Sequence, residues 1–189
     1  MSYETVTQGA KVESFTTGSF GPLFELSRLY ARAVDRRDVE GFLRVFTADA
    51  RLSICSGVDP EQVVRTISGT EQLAAVPTSL ERFDRTFHFL GQAGYEVDGG
   101  RATGEVYCIA HHLSVGETGA QNMVLYIRYA DEYRADASEG WQITHRRLQW
   151  DWAETRGADV PATYYSRPTA SSDSPDQAHG AHVAPNSLQ

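Results

Sequence analysis

Apolar residues recur at helical spacing in the first third of the chain and at strand spacing through most of the rest. From Pro22 onward Leu26, Leu29, Tyr30 and Ala33 fall three and four residues apart, the stripe of an amphipathic helix. That helix is expected to end near Asp35-Arg36-Arg37, where two arginines suit the negative end of its dipole. Asp38 stands where an N-cap would open a second helix over about 39–46, with Phe42, Leu43 and Phe46 facing inward. A short strand is expected over 50–56, and 57–69, which has no clear period, reads as a loop or lid. Thr70 can cap a third helix that begins at Glu71 and is interrupted at Pro77.

The period then becomes two. Strands are expected over about 85–97 and 101–113, joined by the Asp98-Gly99-Gly100 turn, and again over 122–134 and 141–152. Alternation divides the second of these into two faces. One carries Ala102, Gly104, Val106, Cys108, Ala110 and His112; the other carries Thr103, Glu105, Tyr107, Ile109, His111 and Leu113. A small, apolar face ending in an imidazole suits a cavity wall, which makes His88 and His112 the chemical candidates. In the last strand the same alternation groups Arg146, Leu148, Trp150 and Trp152, and sets Ile143 with His145 on the opposite face. Helices followed by long antiparallel strands joined by hairpins predict an α+β domain. A strongly curved antiparallel sheet packed on the early helices would form a cone with a pocket at its mouth.

Composition narrows this further. With 189 residues one domain is expected, over 21–165, between a polar arm at 1–20 and a disordered tail at 166–189. The tail removes His179 and His182 from the catalytic candidates. Net charge is 17 − 25 = −8 with no basic cluster, which argues against nucleic acid as a partner. No apolar run reaches a membrane span, and the start MSYETVTQGAKVES lacks the apolar core of a signal peptide. Cys55 and Cys108 have no CxxC spacing, so buried thiols in a reducing cytoplasm are expected in place of a disulfide or zinc site. Neither a metal nor a cofactor is expected.

Four stretches together resemble the SnoaL-like branch of the nuclear transport factor 2-like superfamily: LYARAVDRRDVEGFLRVFTADARL, RTFHFLG, YADEYRADASEGWQI and the closing WDW, over roughly 22–155. The resemblance implies a cone-shaped NTF2-like α+β barrel with an apolar pocket for a small-molecule substrate, in a homo-oligomer (dimer or trimer). RTFHF is similar to the corresponding stretch of scytalone dehydratases and puts His88 on that family's catalytic histidine, His112 on its second and Asp35 on its helix aspartate. The spacing of Tyr30 and Asp35 is also similar to that of bile acid 7α-dehydratases, where a tyrosine and an aspartate of the first helix serve the site. The substrate-reading groups differ. Val34 and Ile54 stand where the scytalone enzymes have water-positioning tyrosines, Tyr129 near their pocket asparagine, and Ala110 where the bile acid enzymes have an aspartate.

The implied activity is a dehydratase or isomerase acting on a small cyclic polyketide, terpenoid or steroid-like metabolite. A polyketide-type cyclase and a non-catalytic binding or structural subunit are the alternatives. Proton removal beside a carbonyl followed by loss of a β-hydroxyl needs a base, an acid and a donor for the enolate. Asp35 with His88 would be the base, His112 the acid and Tyr30 the donor. An ideal helix puts Tyr30 and Asp35 roughly 140° apart, so both serve one pocket only if Asp35 lies at a bent helix end. Arg146, Trp150, Tyr129 and Ile54 are the candidate substrate contacts. Arg146 has an alternative as an ion-pair partner of Glu105 or Glu132, and Trp150, Trp152, Phe87 and Phe89 as core or dimer surface.

Overall fold

The computed structural model describes residues 21–56, 59, 62–117 and 119–161; the arm at 1–20 and the tail at 166–189 lie outside the described residues. Helix α1 (Gly21–Arg36) buries Leu23, Leu26, Tyr30, Ala33 and Val34 along its apolar stripe. It stops at Arg37, whose φ of 59° is left-handed, and the Asp38 N–H closes the turn on the Ala33 carbonyl at 2.9 Å. Asp38 then caps α2 (Val39–Leu43), its carboxylate accepting the Gly41 N–H at 2.8 Å. Phe46, expected at the end of this helix, instead opens strand β1 (Phe46–Cys55).

The segment expected to be a loop contains strand β2 (Val63–Ser68), paired antiparallel to β1. Only Ile67 of β2 is buried, so its sequence carries no inward–outward alternation to find. Gly69, at φ +74°, turns the chain directly from β2 into α3 (Gly69–Ser79), and Pro77 sits inside this helix without ending it. A 3₁₀ turn (Leu80–Arg82) leads into β3 (Arg85–Asp98), β4 (Arg101–Gly116), β5 (Gly119–Asp136) and β6 (Gly140–Ala158).

These make one six-stranded sheet in the order β2-β1-β6-β5-β4-β3. β1 lies parallel to β6, so the sheet is mixed, and β2 and β3 remain its two edges, so it does not close as a barrel. The expected all-antiparallel sheet is corrected there. Residue alternation carries no information on strand direction, and β1 and β6 are not joined by a hairpin. The class is α+β: a curved sheet with the core between its inner face and α1–α3.

Register explains most of the remaining differences. β4 pairs with β5 without interruption, and its alternation is as expected: Ala102, Val106, Cys108, Ala110 and His112 are all buried. The β5–β6 ladder shifts at Glu132/Tyr133 and again at Tyr126/Ile127, leaving Thr144 and Asp151 as extra residues. Each bulge reverses the facing of the residues beyond it. Ile143 and Arg146 therefore both point inward, as does Trp150, while Trp152 emerges on the outer face and stacks on Tyr126 at 4.1 Å. Phe87, Phe89 and Trp152 are 60%, 58% and 54% exposed, which rules them out of the core.

The small face of β4 is filled rather than open. A Cβ at Gly104 would collide with the Tyr95 ring. Beside it lies Arg146, fully buried, whose Nε and Nη2 donate to the Asp131 carboxylate at 2.8 and 2.6 Å, with a further Nη2 bond to Ser27 at 2.8 Å. Tyr133 donates to the same carboxylate, and the guanidinium carbon lies 4.2 Å from the ring centroids of both Tyr30 and Tyr129. Arg146 and Tyr129 are thus part of the core and not substrate contacts. The partner of Arg146 is Asp131, not Glu105 or Glu132, because β5 aligns Asp131 directly with Arg146 on the inner face.

Removing one member of such a pair strands the other charge in a dry interior. Asp131→Ala should cost about 3–5 kcal/mol in urea denaturation, and Asp131→Leu combined with Arg146→Met should recover most of that loss. A loss under about 1 kcal/mol would contradict a structural role for the pair.

Candidate active site

The end of α1 and the start of β3 meet at Asp35. Its Oδ1 lies 2.7 Å from His88 Nδ1, and its Oδ2 accepts the His88 backbone N–H at 2.9 Å. Burial works to raise the Asp35 pKa, but the hydrogen bonds and attraction of His88 outweigh it and hold the carboxyl below its ordinary value. An ionised carboxylate only accepts, so the proton between them sits on Nδ1. Nε2 is the nitrogen left for a ligand.

Arg37 fixes the geometry from the other side. Its guanidinium donates to the Val34 carbonyl at 2.8 Å, to Thr86 Oγ1 at 2.6 Å and to the Leu80 carbonyl at 2.8 Å, tying the helix end to β3 and to the 3₁₀ turn. In the sequence Arg37 showed only as a charge suited to the helix dipole. Its left-handed backbone is what turns this side chain back across the helix end.

His88 borders a cavity of about 260 Å³. The walls include Tyr30, Val34, Ile54, His112, Leu125 and Trp150, with Arg65 and Arg82 also on the lining. Asp35 does not line it; the carboxylate opens on the opposite side of His88, toward Phe24, Arg28 and Arg32. Tyr30 and Asp35 need not share a face of the helix, because the imidazole lies between the carboxylate and the cavity.

His112 stands across from His88 with ring centroids 5.8 Å apart, edge to face, and Phe83 packs on it at 4.7 Å. It is 5% exposed, and its Nδ1 is buried without a hydrogen-bond partner among the described residues. Burial first, and then the nearby His88, push its pKa down from 6.5 to about 4. At neutral pH it is therefore an uncharged ring. His111 points to the outer face, where its Nδ1 lies 3.0 Å from Asn122 Nδ2. Burial raises the Tyr30 phenol to about 12, so it stays protonated and able to donate.

A second constellation went unnoticed in the sequence. Ser53 Oγ lies 2.9 Å from His145 Nε2, and His145 Nδ1 lies 3.6 Å from Glu132 Oε1. The order serine–histidine–carboxylate invites comparison with a nucleophilic triad. Ser53, however, is buried on the face opposite Leu52 and Ile54 and lines no part of the cavity. The bond joins β1 to β6. Among the described residues no group of three His, Cys, Asp or Glu is placed to hold a metal, both cysteines are buried and neither forms a disulfide, and no helix is long and apolar enough to cross a membrane.

Burial of His112 as a neutral ring makes stability depend on pH. Between its native value and 6.5 the unfolded chain binds the extra proton, so stability rises with pH across that window and falls on acidification. Asp35, whose pKa is lowered on folding, contributes stability that is full above the ordinary value of 3.8 and is lost as pH falls from there through its lowered native value. From pH 7 to about 4.5, wild type should lose on the order of 2 kcal/mol more than His112→Gln. Parallel denaturation curves for the two proteins across that range would contradict a buried neutral His112.

The chain matches the SnoaL-like domain family over residues 25–147 and belongs to it. Among solved structures it is similar to Kfla4162 from Kribbella flavida, at 22% identity and a TM-score of 0.60, covering 70% of this chain and 90% of that one. A scytalone-dehydratase-like protein from Novosphingobium aromaticivorans aligns at 18% identity and a TM-score of 0.58, over 74% and 87% of the two chains. The hexachlorocyclohexane dehydrochlorinase LinA-type3 from Novosphingobium barchaimii aligns at 16% identity and a TM-score of 0.60, over 74% and 92%. At these identities the likeness is one of fold. No curated protein matches the sequence.

Proposed function

We propose that this SnoaL-like protein is a lyase or isomerase that removes a proton beside a carbonyl and, as a dehydratase, expels a β-hydroxyl from a small ring substrate. The observation that carries the proposal is the Asp35–His88 pair, with the carboxylate behind the ring and the cavity in front of it. In this scheme His88 Nε2 takes the carbon-bound proton, and Asp35 stabilises the imidazolium that forms. The electron pair released moves to the carbonyl oxygen, which the protonated Tyr30 phenol can hydrogen-bond. As the carbon–oxygen bond breaks, the imidazolium of His88 returns its proton and the hydroxyl leaves as water. The neutral His112 ring holds an oxygen of the substrate by hydrogen bonding. This modifies the role expected from the sequence, since a ring with a pKa near 4 carries little imidazolium at neutral pH.

Two nearby relatives by fold bear names of elimination enzymes, a dehydratase and a dehydrochlorinase, which favours this chemistry over aldol closure by a cyclase. A cavity of about 260 Å³ is small and suits one or two rings better than a steroid. Ile54 and Trp150 would be its apolar contacts.

The test is a panel of one- and two-ring β-hydroxyketones, with and without a carboxylate, followed by absorbance of the conjugated product. His88→Ala should lower kcat by about 10²-fold or more while remaining folded, and Asp35→Asn should lower kcat with less effect on KM. His111→Ala, on the outer face, should stay active. A fully active His88→Ala enzyme would exclude the mechanism.

We assign the outer aromatic face to the contact between copies in a homo-oligomer. Phe87, Phe89 and Trp152 expose more apolar surface there than isolated side chains of a monomer need. Phe89→Asp should shift sedimentation from oligomer to monomer. A monomeric wild type would contradict this arrangement.

A further inference from the structure

The charged groups on the cavity lining are unbalanced. Arg65, on β2 opposite Ile54, and Arg82, at the end of the 3₁₀ turn, both contribute to the walls, and among the described residues no aspartate or glutamate does. Among the described residues five arginines elsewhere are paired with carboxylates, while others, such as Arg32, Arg36 and Arg101, are not. Arg28 pairs with Glu25, Arg44 with Glu40, Arg128 with Asp151, Arg134 with Asp49 and Arg146 with Asp131. Among the described residues no carboxylate lies within ion-pair distance of Arg65 or Arg82. The Arg82 guanidinium instead rests 4.8 Å from the Phe83 ring, and that ring packs on His112.

The polar groups are therefore arranged in two sets. Two exposed guanidiniums stand on the lining with Gln72 and Ser79 nearby, and inside lies an imidazole with a buried, unpartnered nitrogen. A wholly apolar ligand would leave that nitrogen unsatisfied and would gain nothing from the arginines. A ligand with a carboxylate at one end and a neutral oxygen at the other satisfies both sets. Guanidinium–carboxylate hydrogen bonds are also the strong, charge-assisted kind.

We propose that the substrate is a small ring acid whose carboxylate is held by Arg65 and Arg82 while its hydroxyl or carbonyl is presented to His112 and His88. This rests on the cavity beside His88 being the substrate site, and it names the class of molecule that the site takes. The two arginines determine specificity and position the ligand, with no part in proton transfer. His112, neutral at physiological pH, adds no charge to the selection, so the preference for an acid belongs to the arginines alone.

The experiment is isothermal titration at pH 7 with two probes of nearly equal shape, 2-naphthoate and 2-naphthamide. Wild type should bind the acid at least about tenfold more tightly than the amide. Arg65→Gln and Arg82→Gln should each reduce that ratio, and the double variant should abolish it while leaving amide affinity within about twofold. Unchanged amide binding shows that the variants are folded with the cavity intact. His88→Ala should keep the preference, because the charge being read lies elsewhere. Equal affinity for acid and amide, a preference that survives in the double variant, or failure of wild type to bind either probe at millimolar concentration would overturn the proposal. Since the readout is binding, failure here removes the acid-substrate assignment alone. An active His88→Ala enzyme would remove the elimination chemistry alone.

Discussion

Both oxygens of Asp35 are directed at one residue, and the site depends on that. One takes the His88 backbone N–H and so sets where β3 begins to run beside α1; the other takes the ring Nδ1 and so fixes tautomer and orientation. A carboxylate at the last turn of a helix faces the unfavourable negative end of the dipole. Arg37 offsets this with a guanidinium bonded to the Val34 carbonyl and across to Thr86 and Leu80. Helix end, strand start and 3₁₀ turn are thereby joined at one place, and His88 is held between a half-buried carboxylate and an open cavity. Such preorganisation is what general-base chemistry requires of a histidine.

Beneath the site the Arg146–Asp131 pair organises the core in a comparable way. It binds β5 to β6 through the paired side chains and reaches α1 through Ser27 and the Tyr30 ring. Tyr30 is consequently part of both layers, stacked into the core and bordering the cavity. The pair lies in the core against the inner face of the sheet, and the cavity lies where His88, His112 and α3 line it.

Local periodicity carried far where the ladder is regular and failed where it is not. The separation of His112 from His111 was legible because β4 runs opposite β5 without a bulge. The facing of Trp152 and Ile143 was not, because single inserted residues at Asp151 and Thr144 reverse the alternation and leave no mark in composition. The small residues of β4 looked like a cavity wall, yet their room is taken by Tyr95, Tyr129, Tyr133 and Arg146 from elsewhere in the chain. β2 escaped notice as an exposed edge strand, and with it the position of Arg65 on the cavity wall. Asp35 and His88 were visible as a pair only through the family resemblance, since 53 residues separate them and no spacing rule connects a helix end to a distant strand.

The central claim is that Asp35 holds His88 with the proton on Nδ1, leaving Nε2 as the base. Long-range ¹H–¹⁵N correlation spectra of histidine-labelled protein read this directly at neutral pH, with the His88 signals assigned from their loss in His88→Gln. Nδ1 should resonate as a protonated, pyrrole-type nitrogen and Nε2 as an unprotonated, pyridine-type one, and Asp35→Asn should disturb that distinction. The reverse tautomer in wild type, with the proton on Nε2, would contradict it.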